Sequence, residues 1–139
     1  MATRSRIGIE KEDGTILSVY CHWDGYPSHN GKILLENYTD REKVLGLIEL
    51  GSISILAKNL TPVDGAAHDF EKPAKDVVVA YHRDRGEGLE IPRVNASLEA
   101  FSRSDFEEYG YIFTKDNQWK ITFGSSRIAD LTPEMCEEK

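Results

Sequence analysis

Two stretches of the sequence concentrate the side chains that could do chemistry. The first is His82-Arg83-Asp84-Arg85, with Gly86 and Gly88 close behind. Two guanidinium forks suit a phosphate or a carboxylate, because each presents paired N–H donors in one plane. Asp84 is a partner for either arginine, His82 is a proton carrier, and the glycines let backbone come close to a ligand. The second stretch is Tyr20 to Pro27, which reads YCHWDGYP. Trp23 and Tyr26 offer flat faces on which a planar ring can stack. His22 and Asp24 offer a proton carrier and an acceptor. Together, His22, Trp23, Asp24, Tyr26, His82, Arg83, Asp84 and Arg85 point to recognition of a ring-bearing, phosphorylated ligand. No residue is assigned a catalytic role. A plainer reading stands beside each stretch: Trp23 caps the core while Asp24-Gly25 makes a turn, and Asp84 pairs with its own arginines in a solvated turn.

Other chemistries fit less well. His82-Arg83-Asp84 copies three letters of the protein-kinase catalytic loop, but that motif needs an asparagine where Leu89 stands. A metal site from Cys21, His22, Asp24, His82 and Asp84 is disfavoured: Cys21 and His22, adjacent on a strand, point to opposite faces, and no zinc-type spacing of Cys or His occurs. Cys21 with His82 is a conceivable nucleophile and base, if a fold brings them together. Dinucleotide, Walker A and Gly-x-Ser-x-Gly patterns are absent, and no cofactor is implied. His29 and His68 fall in loops and read as solvated.

The elements that must position these residues follow from pattern. Arg6 to His22 reads as a hairpin turned at Asp13-Gly14. Lys32 to Tyr38 reads as a short helix. Thr39 and Glu42 form a capping box for a second helix over about residues 40–50, closed by Gly51. Ser52 to Leu56 reads as a short strand. Asp76 to Tyr81 reads as a strand; Val77 to Ala80 is apolar on both faces, which predicts a central strand that delivers His82 to Arg85 to the sheet's rim. Residues 57–75 and 85–97 read as loops, Leu98 to Glu108 as a weak helix. Tyr109 to Phe113 and Gln118 to Phe123 read as a second hairpin, turned by Lys115-Asp116-Asn117. The expected fold is α+β: a mainly antiparallel sheet of about five strands, with two or three helices packed on one side. A single domain over 1–132 and a polar, mobile tail over 133–139 complete the organisation.

At 139 residues, 40% hydrophobic and 29% charged, the chain can bury a core without disulfide or metal. Neither a secretory leader nor a membrane-spanning run is legible, so Cys21 and Cys136 are expected to be reduced and the chain cytoplasmic. The net charge of −7 argues against binding a nucleic-acid polymer, which needs Lys and Arg to displace counterions.

Three segments carry a resemblance: Thr3 to Ile9 (TRSRIGI), Tyr20 to Pro27 (YCHWDGYP) and Ala80 to Glu87 (AYHRDRGE). With Leu45 to Leu56, they resemble a set of small uncharacterised proteins encoded by bacteriophages, prophages and plasmids. The likeness covers roughly the first two-thirds of the chain and transfers no residue role. It implies a setting, the host bacterial cytoplasm, and an accessory viral gene of the kind that counters host defence. The leading expectation is therefore a protein that sequesters a small phosphorylated or nucleotide-like ligand. A protein-binding inhibitor of a host factor, alone or as a homo-oligomer, is the alternative. A small hydrolase or phosphodiesterase using His22 or His82 is the third.

Overall fold

A computed structural model of the chain describes residues 3–61, 68, 70–86, 88, 92–103, 109–123 and 128–137. In chain order the elements are β1 (Ser5–Glu10), β2 (Ile16–Cys21), a π-helical turn (Pro27–Gly31), α1 (Lys32–Asn37), α2 (Arg41–Glu49), β3 (Ile53–Ile55) and β4 (Val79–Ala80). Then come α3 (Tyr81–Arg85), β5 (Arg93–Asn95), α4 (Leu98–Arg103), β6 (Tyr109–Phe113), β7 (Trp119–Phe123), β8 (Ile128–Asp130) and α5 (Pro133–Glu137). The strands join one sheet in the order β4-β3-β2-β1-β6-β7-β8, with β5 pairing the first half of β2. The β1–β6 and β2–β3 pairs are parallel; the remaining pairs are antiparallel.

Both hairpins form where turn chemistry predicted them. Gly14 takes φ of 90° at the tip of β1–β2, and the Asp13 carboxylate accepts from the Thr15 amide and hydroxyl at 3.0 and 2.7 Å. Asn117, at φ of 61°, turns β6 into β7. In α2 the cap shifts by one residue: Asp40, not Thr39, accepts from the Glu42 amide, at 3.2 Å. Gly51 closes the helix at φ of 79°, its amide donating to Ile48.

Alternation along the strands builds two unequal layers. Ile7 and Ile9 of β1, Val19 and Cys21 of β2, Tyr111 and Phe113 of β6, and Trp119 and Ile121 of β7 form one face. Leu34 of α1, Val44, Leu47 and Ile48 of α2, and Cys136 of α5 cover it. Each such aliphatic side chain contributes about 1.5–3 kcal/mol by leaving water. On the opposite face, Phe101 of α4 packs with Ile16 and Ile112. It lies close because Gly110 has no side chain: a Cβ there would stand 2.7 Å from the Phe101 ring and 2.3 Å from Thr122 Oγ1.

The expected fold is corrected accordingly. Among the described residues the sheet has eight strands, not about five, and is mixed; helices occupy both faces, not one. The missing strands, β5 and β8, have three residues each and pair through backbone without an apolar alternation to announce them. Val77 to Ala80 is an edge, not the centre: β4 closes one end of the sheet, and β1 lies in the middle. Its side chains are buried all the same, which is the pattern the sequence showed. Pro133 to Glu137, expected as part of a polar tail, form α5 with Cys136 in the core. Among the described residues, no helix is long and apolar enough to cross a membrane.

Candidate functional site

The YCHWDGYP segment leaves β2 alongside β3. The His22 amide donates to Ile53 O at 3.1 Å and the Trp23 amide to Ser54 O at 2.9 Å. Asp24 then turns the chain at φ of 56°. Gly25 passes so close to the N-terminal segment that a Cβ would lie 2.8 Å from both Ser5 Cβ and Thr3 O. Its amide donates to Thr3 O, and its carbonyl accepts from the buried Tyr111 hydroxyl at 2.6 Å. Asn30, fully buried, donates to Ser5 Oγ at 3.1 Å and to Cys21 Sγ at 3.4 Å. Buried polar bonds thus fix a loop whose aromatic side chains face outward.

Those aromatics are Trp23, 41% exposed, and Tyr26, 36% exposed. The His22 ring meets Trp23 edge-on at 4.7 Å and shares a 2.6 Å hydrogen bond with the Tyr20 hydroxyl through Nδ1. Tyr26 donates to Asp24 Oδ1 at 3.0 Å, and that hydrogen bond raises the phenol's pKa. On its other side Tyr26 stands 6.3 Å from the ring of His29.

The His82-Arg83-Asp84-Arg85 stretch is α3, a single helical turn ended by Gly86 at φ of 80°. It folds back onto its own strand. The Tyr81 amide donates to Ser52 on the β3 side, so the polar groups of Val78 and Ala80 point the other way, off the sheet. Side chains and the preceding loop fill that edge. Asp84 Oδ2 accepts from the Ala80 amide at 2.7 Å. Arg83 Nη2 donates to Val78 O at 2.7 Å, and Nη1 donates to Leu60 O. The Val78 amide donates to Asn59 O at 2.9 Å. Arg83 also grips Asp84 with Nε and Nη2, at 2.9 and 3.0 Å.

His68 completes this clasp. The Ala74 amide donates to His68 Nδ1 at 2.8 Å. Nδ1 therefore holds the lone pair and Nε2 the proton. The Nε2 hydrogen is shared between Val78 O and Asp84 Oδ2, each 3.1 Å away. Both side chains are only 4% exposed. Burial alone would raise the Asp84 pKa; the hydrogen bonds from Arg83, the Ala80 amide and His68 outweigh it and hold the carboxyl below its ordinary range. The pair looks like the orienting half of a catalytic triad, but the nitrogen that would take a proton is occupied by backbone.

The two predicted segments do not converge. Trp23 borders β3 on the β2 side, whereas the Arg83 guanidinium lies beyond the outer edge of β4. Strands β3 and β4 lie between them. Arg85 lies over the Phe70 ring at 4.8 Å, beside an open hollow of about 420 Å³ that Phe70, Glu71, Asp84 and Arg85 line. His82 is exposed.

The aromatic loop instead borders a groove of about 340 Å³ between α1, β3 and β4. Ile33, Ile55 and Val79 supply apolar surface; His29, Lys58 and Ala74 are among its other walls. His29 links the groove to Tyr26. Lys58 faces Asp76 at 3.7 Å, both about half exposed. Sequence reasoning missed His29, Lys58 and His68. A histidine between Pro62 and Pro73 carries no local sign that the Ala74 amide and the Val78 carbonyl will enclose it. Among the described residues, no group of His, Cys, Asp and Glu could hold a metal ion. No family model, curated protein or solved structure matches the chain.

Proposed function

We propose that the chain binds a small phosphorylated, nucleotide-like ligand in the groove between α1, β3 and β4. The observation that carries this reading is the groove's make-up: an apolar floor around Ile55 and Val79, His29 and Lys58 at its walls, and the anchored aromatic Tyr26 beside it. Small-molecule sites are of this kind, mostly apolar with a few placed polar groups. The planar part of the ligand lies on the floor against His29 and Tyr26. Its phosphate takes Lys58 from Asp76, an exposed pair worth under about 1 kcal/mol. Arg83 is not the phosphate holder in this reading, because its donors are spent on Val78, Leu60 and Asp84. The resemblance to phage and plasmid proteins supplies the setting: sequestration of a nucleotide signal of host defence in the bacterial cytoplasm.

The test is a thermal-shift screen of nucleotides and cyclic dinucleotides. A ligand present at 100 times its Kd adds about 2.7 kcal/mol of stability. Lys58→Ala and Tyr26→Ala are expected to abolish the shift and leave the ligand-free Tm nearly unchanged, since neither side chain belongs to the core. A binder returns its ligand intact after heat denaturation; recovery of a product would make the protein an enzyme instead. If no ligand moves the Tm, the reading fails. A host protein captured by the native chain and lost on Trp23→Ala would then replace it.

A further inference from the structure

The groove's walls are not equally secured. One comes from the π-helical turn and α1, and another from β3 and the residues after it, all tied into the sheet or the core. The third wall is Pro73 to Val77, the approach to β4. Its lower end is held by the Asn59–Val77 bridge and the Lys58–Asp76 pair. Its upper end, Ala74, donates its amide to His68 Nδ1. His68 in turn holds Val78 O and Asp84 through Nε2. One imidazole thus spans from a groove wall to the strand that carries Val79 on the groove's floor.

We propose that His68 is a positioning residue for the groove: its neutral imidazole fixes the Ala74 wall against β4, and protonation releases that wall. The proposal rests on the reading of the groove as a ligand site. The chemistry is specific to one atom. Nδ1 accepts the Ala74 N–H only while it has a lone pair; a proton there sets two donors face to face. Among the described residues, the ring meets the Asp84 carboxylate at 3.1 Å and the Arg83 guanidinium, whose Nη2 lies 3.4 Å from Nε2. Lys58 and Asp76 flank the lower end of the wall, and His29 lines the groove elsewhere. His29 is the histidine that lines the groove itself, so it must be controlled for. If the fixed wall binds ligand better, then ligand must favour the fixed wall by the same factor.

The experiment follows the Ala74 amide by hydrogen exchange, corrected for intrinsic exchange, and the His68 ring nitrogens by NMR, from about pH 8 to about pH 5. The probe ligand is 3′,5′-cyclic AMP, whose charge does not change over this range. Its binding is read on the Ile55 and Val79 methyl groups. In the native chain and in His29→Gln, Ala74 protection is expected to fall about tenfold or more with acid, in step with protonation of His68 Nδ1, while Tyr111 in the core stays protected. In His68→Gln the pH dependence disappears. Ala74 protection that ignores pH, or that titrates unchanged in His68→Gln, overturns the proposal. Should His68→Gln not fold, the native chain decides alone: Ala74 and the His68 nitrogens must change together. Cyclic AMP binding that weakens in His68→Gln supports the coupling; equal binding with the same pH profile overturns it. Absence of any cyclic AMP response counts against the nucleotide reading, while the Ala74 profile still decides the role of His68.

Discussion

Asp84 accepts from three segments at once: the Ala80 amide at the end of β4, the Arg83 fork on α3, and His68 from the preceding loop. Asparagine there keeps one acceptor oxygen, loses the charge, and sets an NH2 among the donors of Arg83, Ala80 and His68 around a side-chain position only 4% exposed. Asp84→Asn is expected to cost about 3 kcal/mol, measured by urea unfolding at neutral pH. The pH sign follows from the depressed pKa. In the unfolded chain this carboxyl titrates near 3.9; in the folded chain it titrates lower. Its contribution is complete above the unfolded value and is lost as pH falls through the folded one. Native protein should therefore lose stability in acid more steeply than Asp84→Asn, and equal acid limbs would refute that. At this scale the sequence was only half legible. The polar character of His82 to Arg85 was plain, and so was the option that Asp84 pairs with its own arginines. What Arg83 mainly serves was not, because carbonyls such as Val78 O and Leu60 O are present at every position and leave no mark in a sequence. Trp23 and Tyr26 read correctly as presented on a loop, since Gly25 and Pro27 announce one.

Elements with turn signals or helix caps were legible; those built on contacts made elsewhere were not. The two hairpins and α2 carry their own instructions in Asp13-Gly14, Asn117, Asp40 and Gly51. β4 misled because an apolar run says that side chains are buried but not what buries them. Here a clasp does part of what a neighbouring strand would do. An edge strand with open N–H and C=O groups invites pairing with another chain, and Arg83, Asp84 and Asn59 close this one. Arg83→Ala is expected to promote self-association, seen as concentration-dependent sedimentation. Arg83→Lys should not restore the native behaviour, since one ammonium cannot reach Leu60, Val78 and Asp84 in the geometry of a fork. On the opposite sheet face, Gly110→Ala should cost about 1–3 kcal/mol, because its Cβ would overlap both Thr122 Oγ1 and the Phe101 ring. A shortened Phe101→Leu background should recover part of that loss.

The whole molecule has its two thiols inside. Cys21 and Cys136 are both buried, and burial pushes the Cys21 thiol up to about 11. Neither should react with a disulfide reagent at neutral pH until the chain opens, and both should then react together. Partial labelling of folded protein would contradict this packing. Removing residues 133–139 should lower the Tm, since α5 carries Met135 and Cys136 against the core and Cys136 lies beside Gly31. The sheet order has a consequence in time as well. Ser5 pairs with Cys21 on one side and with Tyr109 on the other. A ribosome adds about 5–20 residues per second, so β1 and β2 are made several seconds before β6 exists. Through that interval the strand destined for the middle of the sheet has one flank without its partner. The earliest of this sheet's described strands is enclosed only once β6, about a hundred residues later, has been made.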